Sequence, residues 1–238
     1  MKHVSELLVW LVPAVCFAQA NNVIFHASFD GSVEPSVKAD KTKITQNRTT
    51  DEDFFPGLKG KALRIGADAD GKNAKSVTWT AQGNILPAKG TISFYFKMLD
   101  WQKFPKQFQH LFMVSSNRPP MVSLSPAAAE PTVVFYEGSG KASVRLKTRL
   151  EPDDAWHHWA AVWNEKQLKF YLDGKRVGVR DRDFVEPEKH WKYLSAGAQN
   201  WGEEHVKGYT LMDELTIYSE ELGEDQIKGL ADALKVQP

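Results

Sequence analysis

The chain has 238 residues, with 30 Lys and Arg against 30 Asp and Glu, one cysteine and eight tryptophans. This length is sufficient for one sandwich or barrel domain with a sizeable core. The balanced charge argues against a nucleic acid partner, since such proteins carry a basic excess. A single cysteine excludes intramolecular disulfides and zinc–thiolate sites.

The first 20 residues have the pattern of a secretory signal peptide. A basic start precedes an apolar run from Leu7 to Ala18, and Ala18-Gln19-Ala20 has the small-x-small pattern of a signal peptidase site. The run is shorter than the about 20 residues that cross a bilayer. We therefore expect residues 1–20 to be a cleaved signal peptide and the protein to be secreted, periplasmic or on the cell surface, without a membrane span.

Residues 21–238 are predicted to form a single all-β domain. Val23 to Phe29 alternate as a strand, whereas residues 32–53 are polar and predict an exposed excursion. Residues 54–65 and 76–80 return the chain to the core. Residues 92–98 have the clearest period-2 pattern, which predicts a strand with one face in the core. Further short strands are predicted at 111–114, 122–124, 132–136 and 142–146.

The segment from Trp156 to Trp163 is apolar on both faces of a strand, which favours a central strand covered on both sides. A hairpin follows, because Asp173-Gly174 favours a two-residue type I′ turn. This turn predicts Phe170 opposite Val177, Leu168 opposite Val179, and Tyr171 opposite Arg176.

A final strand and a short helix are predicted at the C-terminus. Leu211, Asp213, Leu215 and Ile217 are expected to share one face of the strand, so that Asp213 points to apolar surroundings and needs a partner. After Ser219 or Glu220, apolar residues recur at helical spacing.

Six motifs in this order resemble the laminin G-like jelly rolls of the concanavalin A-like lectin/glucanase superfamily. They are FDG (29–31), GLKGKAL (57–63), GTISFYFKM (90–98), WHHWAAVW (156–163), LKFYLDGKRV (168–177) and MDELTIYSEELGEDQIKGL (212–230). The resemblance implies an antiparallel two-sheet jelly-roll sandwich with one concave surface. It implies little about chemistry, because this fold hosts lectins, adhesion modules, glycosidases and lyases.

The same resemblance implies an ion site. Many superfamily members hold a structural Ca²⁺ where the first and last strands meet, and Asp30 and Asp213 are the matching positions. Calcium suits oxygen ligands and an exported protein. The alternative is that Asp213 accepts backbone hydrogen bonds or pairs with an arginine.

Catalytic patterns are absent from the sequence. Glucanase relatives place their carboxylates on one strand as Glu-x-Asp-x-x-Glu or Glu-x-Asp-x-Glu, and neither pattern occurs here. His157 and His158 are adjacent in a predicted strand, so they point to opposite faces and do not bind one metal without a bend.

The fold and the aromatic residues in loop-like contexts suggest sugar binding. Trp101 and Trp201 are candidates to stack on pyranose rings, with His205 among the polar groups beside Trp201 and Tyr136 as a candidate on a strand. The leading hypothesis is an exported non-catalytic module that binds a polysaccharide, another glycan or an extracellular protein. The alternatives are a glycoside hydrolase or polysaccharide lyase with an unfamiliar carboxylate arrangement, and an interaction subunit of a surface assembly.

Overall fold

The structure is a computed structural model that describes residues 22–68, 73–99, 111–115, 122–126, 133–137, 142–146, 153–182, 188–197 and 208–236. In three of the strands, at 122–126, 133–137 and 142–146, only the backbone is described. The predicted signal peptide, residues 1–20, lies outside these ranges and stays a prediction. None of the helices within the described ranges combines the length and hydrophobicity that a membrane span needs.

The strands in chain order are β1 (Val23–Ala27), β2 (Ile44–Asn47), β3 (Phe54–Pro56), β4 (Lys61–Ala67), β5 (Val77–Thr80), β6 (Gly90–Met98), β7 (Phe112–Ser115), β8 (Val122–Pro126), β9 (Val133–Glu137), β10 (Ala142–Leu146), β11 (Trp156–Trp163), β12 (Gln167–Leu172), β13 (Lys175–Asp181), β14 (Tyr193–Ala196) and β15 (Gly208–Tyr218). A helix, α1 (Glu224–Ala231), follows and continues as a 3-10 helix over Asp232–Val236. Short 3-10 helices also occur at Asp51–Asp53 and Glu188–His190.

The described strands form two antiparallel sheets. One has eight strands in the order β13-β12-β11-β6-β15-β4-β3, with β1 also paired to β15. The other has seven strands in the order β10-β9-β8-β7-β14-β5-β2. This architecture confirms the predicted two-sheet jelly-roll sandwich with a short C-terminal helix.

The main core lies between the two sheets. Ile92, Phe94, Phe96 and Met98 of β6 all belong to it, as the alternation of this strand predicted. Trp159 of β11 stacks on Phe94 with ring centroids 5.4 Å apart. Each such large apolar side chain stabilises the folded state by about 1.5–3 kcal/mol on burial.

Helix α1 covers part of the outward face of the eight-stranded sheet, where "outward" means turned away from the other sheet. Ile227 of the helix packs in one cluster with Ala160 and Val162 of β11. The Tyr95 hydroxyl of β6 donates a hydrogen bond to the Leu230 carbonyl at 2.7 Å. The prediction that β11 is a central strand covered on both faces is therefore confirmed.

The β12–β13 hairpin has the predicted turn but a different register. Positive φ angles at Asp173 and Gly174, 50° and 75°, fit a type I′ turn. Tyr171 lies opposite Arg176, as expected. The next two predicted pairs are wrong, because a bulge leaves Val177 unpaired and shifts the rest of β13 by one residue. As a result, Phe170 lies opposite Gly178, and Leu168 lies opposite Arg180.

The segment 32–53, predicted to be an exposed excursion, contributes to the sandwich. Its strand β2 pairs with β5 at the edge of the seven-stranded sheet. The 3-10 helix Asp51–Asp53 also brings Asp53 to a fully buried position. The polar composition concealed both features, because an edge strand alternates weakly and Asp53 is buried by pairing with cations.

Candidate functional site

Strand β15 changes partner halfway along its length. Residues 208–212 pair with β4, and residues 215–218 pair with β1. Between them, Asp213 lies opposite Tyr95 and Thr216 opposite Ser93, so β15 carries one residue more than β6 over this stretch. Glu214 within the bulge has a φ of 55°, in the left-handed region.

The bulge changes which face Asp213 occupies. Met212, Leu215 and Ile217 all belong to the core between the sheets. Asp213 lies on the outward face, opposite Tyr95. The prediction that Asp213 shares a face with Leu215 and Ile217 is therefore wrong, because one inserted residue reverses the alternation of a strand.

Asp213 is nevertheless fully buried and incompletely paired. The backbone N–H of Lys59 donates to its Oδ2 at 2.9 Å, whereas Oδ1 is buried without a hydrogen-bond partner. Burial raises the pKa of Asp213 to about 7, outweighing the nearby backbone amides, and the charge of Glu214 acts in the same direction.

Asp30 and Asp213 contact the same β3–β4 turn, residues 57–60. The backbone N–H of Lys61, just after the turn, donates to Asp30 Oδ1 at 2.8 Å. Gly57 and Gly60 permit this approach, because an added Cβ at Gly57 would lie 2.7 Å from Asp213 Oδ2, and one at Gly60 would meet Asp30 Oδ1. The structure thus brings both predicted metal ligands, Asp30 after β1 and Asp213 on β15, to one turn.

The donor atoms at this turn are of the kind that calcium binds. Carboxylate and backbone oxygens are hard ligands, and Asp213 Oδ1 is a buried oxygen without a partner. No group of three or more His, Cys, Asp or Glu side chains suited to a metal occurs within the described ranges. A cation here would therefore depend on Asp30, Asp213 and backbone carbonyl groups.

Asp53 is a second fully buried carboxylate, and all of its described contacts are with donors. Arg64 donates to Oδ1 through Nε at 3.1 Å and through Nη2 at 2.6 Å, and Lys75 Nζ lies 2.9 Å from Oδ2. The Thr50 backbone N–H also donates to Oδ2. Burial alone would raise the pKa of Asp53, but Lys75 and Arg64 outweigh it and hold the pKa below its ordinary value.

The loops that contain the predicted sugar-binding aromatic residues start and end at the same end of the sandwich. The Leu99 N–H, after β6, donates to the Tyr209 carbonyl of β15 at 3.0 Å. The Gly197 N–H, after β14, donates to the Leu111 carbonyl before β7 at 2.9 Å. The β6–β7 and β14–β15 loops are therefore tied together at both of their bases, and we call this region the loop end.

Trp101, Trp201 and His205 lie in these two loops and outside the described residues, so their roles stay predictions. Tyr136 lies on β9, whose backbone is described. The register pairs Val134 of β9 with Ser125 of β8, and Ser123 of β8 with Met113 of β7. Tyr136 therefore occupies the same outward face as Met113.

This outward face of the seven-stranded sheet is rich in hydroxyl residues. Thr78 of β5 and Ser195 of β14 lie opposite each other, with their hydroxyl oxygens 3.0 Å apart, and both side chains are fully buried. The same register row continues to Met113 of β7. Among the positions that the described register assigns to this face, none is Asp or Glu.

His157 and His158 point to opposite faces of β11, as strand alternation predicted. His158 Nε2 lies 2.8 Å from the Ser93 hydroxyl beneath α1, and burial lowers the pKa of His158 to about 4. His157 is at the loop end, between the carboxylates of Asp153 and Asp173. Sequence reasoning missed this group, although Asp153 is four residues before His157 and Asp173 belongs to the predicted turn.

The sequence over residues 69–228 matches the family model Laminin_G_3, described as the concanavalin A-like lectin/glucanases superfamily. This match confirms the resemblance that the six motifs indicated. No curated protein matches the sequence significantly.

Solved structures with a similar fold include several binding domains. Domain 4 of AbnA, a GH43 extracellular arabinanase from Geobacillus stearothermophilus, in complex with arabinotriose, is 20% identical with a TM-score of 0.67, covering 88% of this chain and 98% of that domain. The binding domain of botulinum neurotoxin DC in complex with SialylT is 11% identical with a TM-score of 0.69, covering 91% of this chain and 52% of that one. The same toxin domain in complex with rat synaptotagmin II is 11% identical with a TM-score of 0.68, covering 90% and 52%.

The chain thus spans about half the length of the toxin domains that it matches, and nearly all of the arabinanase domain. Identities of 20% or less establish a shared fold and nothing about ligands.

Proposed function

Because the chain belongs to the concanavalin A-like lectin/glucanases superfamily, we propose that it is an exported, non-catalytic module that binds carbohydrate. The observation that carries the proposal is the outward face of the seven-stranded sheet. Its described positions include Tyr136 and contain no carboxylate, and the hydroxyl groups of Thr78 and Ser195 at its centre are fully buried, so a ligand would contact other positions of this face. Carbohydrate sites combine aromatic surfaces with a few polar groups that orient the ligand.

The loop end supports the same proposal. Two loops whose bases are tied together contain Trp101, Trp201 and His205. Residues from separate loops at one end of a rigid sandwich form the usual setting for a binding site. Two structures with this fold are also complexes with the glycans arabinotriose and SialylT, which supports glycans as the ligand class.

Export is supported by the first 20 residues alone. Their basic start, apolar run and small-x-small site form the pattern of a cleaved leader. A polysaccharide or glycan outside the cell would then be the accessible ligand.

The distribution of carboxylates favours binding over glycoside hydrolysis. Hydrolysis needs two carboxyl groups across the scissile bond, about 5–9.5 Å apart. The described outward face of the seven-stranded sheet supplies neither group. A hydrolase or lyase would have to draw its acid and base from residues outside that face.

An extracellular protein partner is the second candidate. The observation in its favour is that a toxin domain with this fold is solved in complex with rat synaptotagmin II. This candidate predicts a protein ligand in a pull-down and no affinity for purified glycans.

Affinity electrophoresis on a polysaccharide panel, with arabinan and sialylated glycans included, tests the carbohydrate proposal. We expect retardation by at least one polysaccharide, and binding about tenfold weaker for Tyr136→Ala or Trp201→Ala. Phe55→Ala is the matched control, since Phe55 is a half-buried aromatic residue on β3 of the other sheet. Failure to bind any glycan contradicts the proposal, and release of reducing ends from the panel would favour the enzyme.

We also propose that a structural Ca²⁺ binds at the β3–β4 turn. The support is the unpartnered, buried Oδ1 of Asp213 and the second carboxylate, Asp30, at the same turn. When bound, the cation would supply the positive charge that this turn lacks within the described contacts of Asp213.

Thermal unfolding in calcium and in chelator tests this second proposal. A ligand at 100 times its Kd stabilises the folded state by about 2.7 kcal/mol, which raises Tm by several degrees in a chain of this size. Asp30→Asn should reduce the difference, because Asn keeps an acceptor for the Lys61 N–H but loses the charge. Asp40→Asn, at an exposed position, is the control, and an equal Tm with and without calcium contradicts the proposal.

A further inference from the structure

His157 joins two separate parts of the loop end. Its Nδ1 lies 2.9 Å from Asp173 Oδ2, in the β12–β13 turn, and its Nε2 lies 3.0 Å from Asp153 Oδ1, in the segment that leads into β11. The ring is largely buried, since only 13% of the side chain is exposed. One imidazole therefore links a hairpin turn to the segment 153–155.

The number of protons on the ring determines whether both links exist. An ionised carboxylate oxygen only accepts hydrogen bonds, so each ring nitrogen must donate. A neutral imidazole carries one N–H, whereas the imidazolium carries two. Both contacts are therefore hydrogen bonds only when the ring is positively charged.

The two contacts are not equally well held. Asp173 is fixed to β11 independently of the ring, because its Oδ1 accepts from the His158 N–H at 2.9 Å and its own N–H donates to the His158 carbonyl at 2.8 Å. Asp153 is half exposed, and its other described contact is local, with the Ala155 N–H. A ring that loses one proton would keep the Asp173 bond and lose the Asp153 bond.

The groups around the ring favour its charged form. Burial lowers the pKa of His157, but hydrogen bonds and charges from Asp173 and Asp153 outweigh it and leave the pKa above the ordinary histidine value. Strand β6 presents the Phe96 ring, with centroids 5.6 Å apart. On β6 the next residue, Lys97, lies on the opposite face, opposite Trp156. On β11 itself the neighbouring His158 faces away and stays neutral near pH 7.

We propose that His157 is a pH-operated latch, which holds residues 153–155 against the sandwich when its ring is charged and releases them when the ring is neutral. The inference does not depend on the identity of any ligand. Its consequence is that residues 153–155, which lead into β11 at the loop end, become less restrained as pH rises.

NMR titration of the full chain tests the latch. The His157 ring should titrate above the ordinary value of about 6.5, and the Ala155 amide resonance should shift with the same midpoint, because its N–H shares Asp153 Oδ1 with the ring. In Asp153→Asn the ring midpoint should fall and the Ala155 shift should lose that titration. Asp154→Asn, an exposed carboxylate next to the latch, is the matched control and should leave both unchanged.

Stability provides a second readout that does not depend on resonance assignment. A raised folded-state pKa means that the latch stabilises the protein below about pH 6.5 and that this contribution disappears as pH rises through the folded-state value. The stability difference between the wild type and His157→Gln should therefore shrink at alkaline pH. The proposal would be overturned by a His157 ring whose pKa is at or below the ordinary value. It would also be overturned by an Ala155 amide resonance that does not shift with the midpoint of the ring.

Discussion

Asp53 and Asp213 are both completely buried, yet their surroundings differ. Asp53 contacts two cationic side chains, Arg64 and Lys75, and its pKa is lowered. Asp213 has backbone amides near one oxygen, no partner at the other, and a pKa raised to about 7. The same side chain at the same exposure therefore has opposite electrostatic character at two places in one sandwich.

The comparison shows that Asp53 is a carboxylate whose ion pairs stabilise the fold, whereas Asp213 is a buried carboxylate with one oxygen that has no hydrogen-bond partner. A buried charge is costly unless it is paired and hydrogen-bonded. Asp53 meets this condition within the described contacts and ties the 3-10 helix at residues 51–53 to β4 and to Lys75. Asp213 does not meet it, which is why we assign the calcium proposal to its turn.

Removing Asp53 should produce the largest loss of stability. Asp53→Ala leaves Arg64 and Lys75 without their carboxylate, and breaking a buried ion pair costs about 3–5 kcal/mol. Since both cations retain some exposure, we expect about 3 kcal/mol, measured by urea unfolding. Asp51→Ala, an exposed residue of the same 3-10 helix, is the control. If Asp53→Ala lowers the free energy of unfolding no more than the control does, the ion pairs of Asp53 do not stabilise the fold, and Asp53 does not differ from Asp213 in this respect.

Acid should selectively remove the contribution of Asp53. Because its folded-state pKa lies below the ordinary value of about 3.9, its stabilisation is present above that value and is lost as pH falls through the folded-state pKa. The stability gap between the wild type and Asp53→Asn should therefore be constant from pH 5 to 7 and narrow below about pH 4. A gap that widens in acid would contradict the assignment of these contacts.

Asp213→Asn should behave oppositely to Asp53→Asn when calcium is chelated. At pH 8 the substitution removes a buried charge without a cationic partner, while an amide oxygen can still accept from the Lys59 N–H. We expect the free energy of unfolding to rise by about 1 kcal/mol. Chemical denaturation in chelator measures this free energy. A decrease comparable to that of Asp53→Asn would show that the surroundings of Asp213 already stabilise its charge.

The bulge beside Asp213 should yield the smallest effect. Glu214 has a φ of 55°, which costs a non-glycine residue about 1 kcal/mol. Glu214→Gly should therefore raise the free energy of unfolding by roughly 0.5–1 kcal/mol, despite loss of the exposed contact with Lys59 at 3.4 Å. Glu214→Ala loses the same contact but keeps the strained φ, so an equal gain in both variants would rule out backbone strain as the cause.

Sequence patterns predicted the elements whose alternation is uninterrupted. Strand β6 and the two-sided burial of β11 follow from apolar spacing alone, and the β12–β13 turn follows from Asp173-Gly174. The patterns failed at the two bulges. Val177 displaced the hairpin pairs by one residue, and the extra residue near Glu214 turned Asp213 to the outward face.

The candidate site was predictable in part. Motif order identified Asp30 and Asp213, and the structure brings both to the β3–β4 turn. Which groups surround a buried carboxylate could not be predicted, since Asp53 lies 11 residues from Arg64 and Asp213 lies 154 residues from Lys59. The grouping of His157 with Asp153 and Asp173 is closer in the chain, but it depends on how the segment before β11 and the β12–β13 turn meet at the ring, which strand alternation does not indicate.

By itself, then, the sequence determined the fold class, the strands with regular alternation and the superfamily, because these depend on local periodicity and on motif order. Only the tertiary structure showed where the strand register shifts in β13 and β15. It also showed that Asp53 pairs with two cations and that His157 lies between two carboxylates. Those outcomes depend on how separate strands, turns and connecting segments come together in space, which local periodicity does not encode, and a single inserted residue reverses the face that a strand side chain occupies.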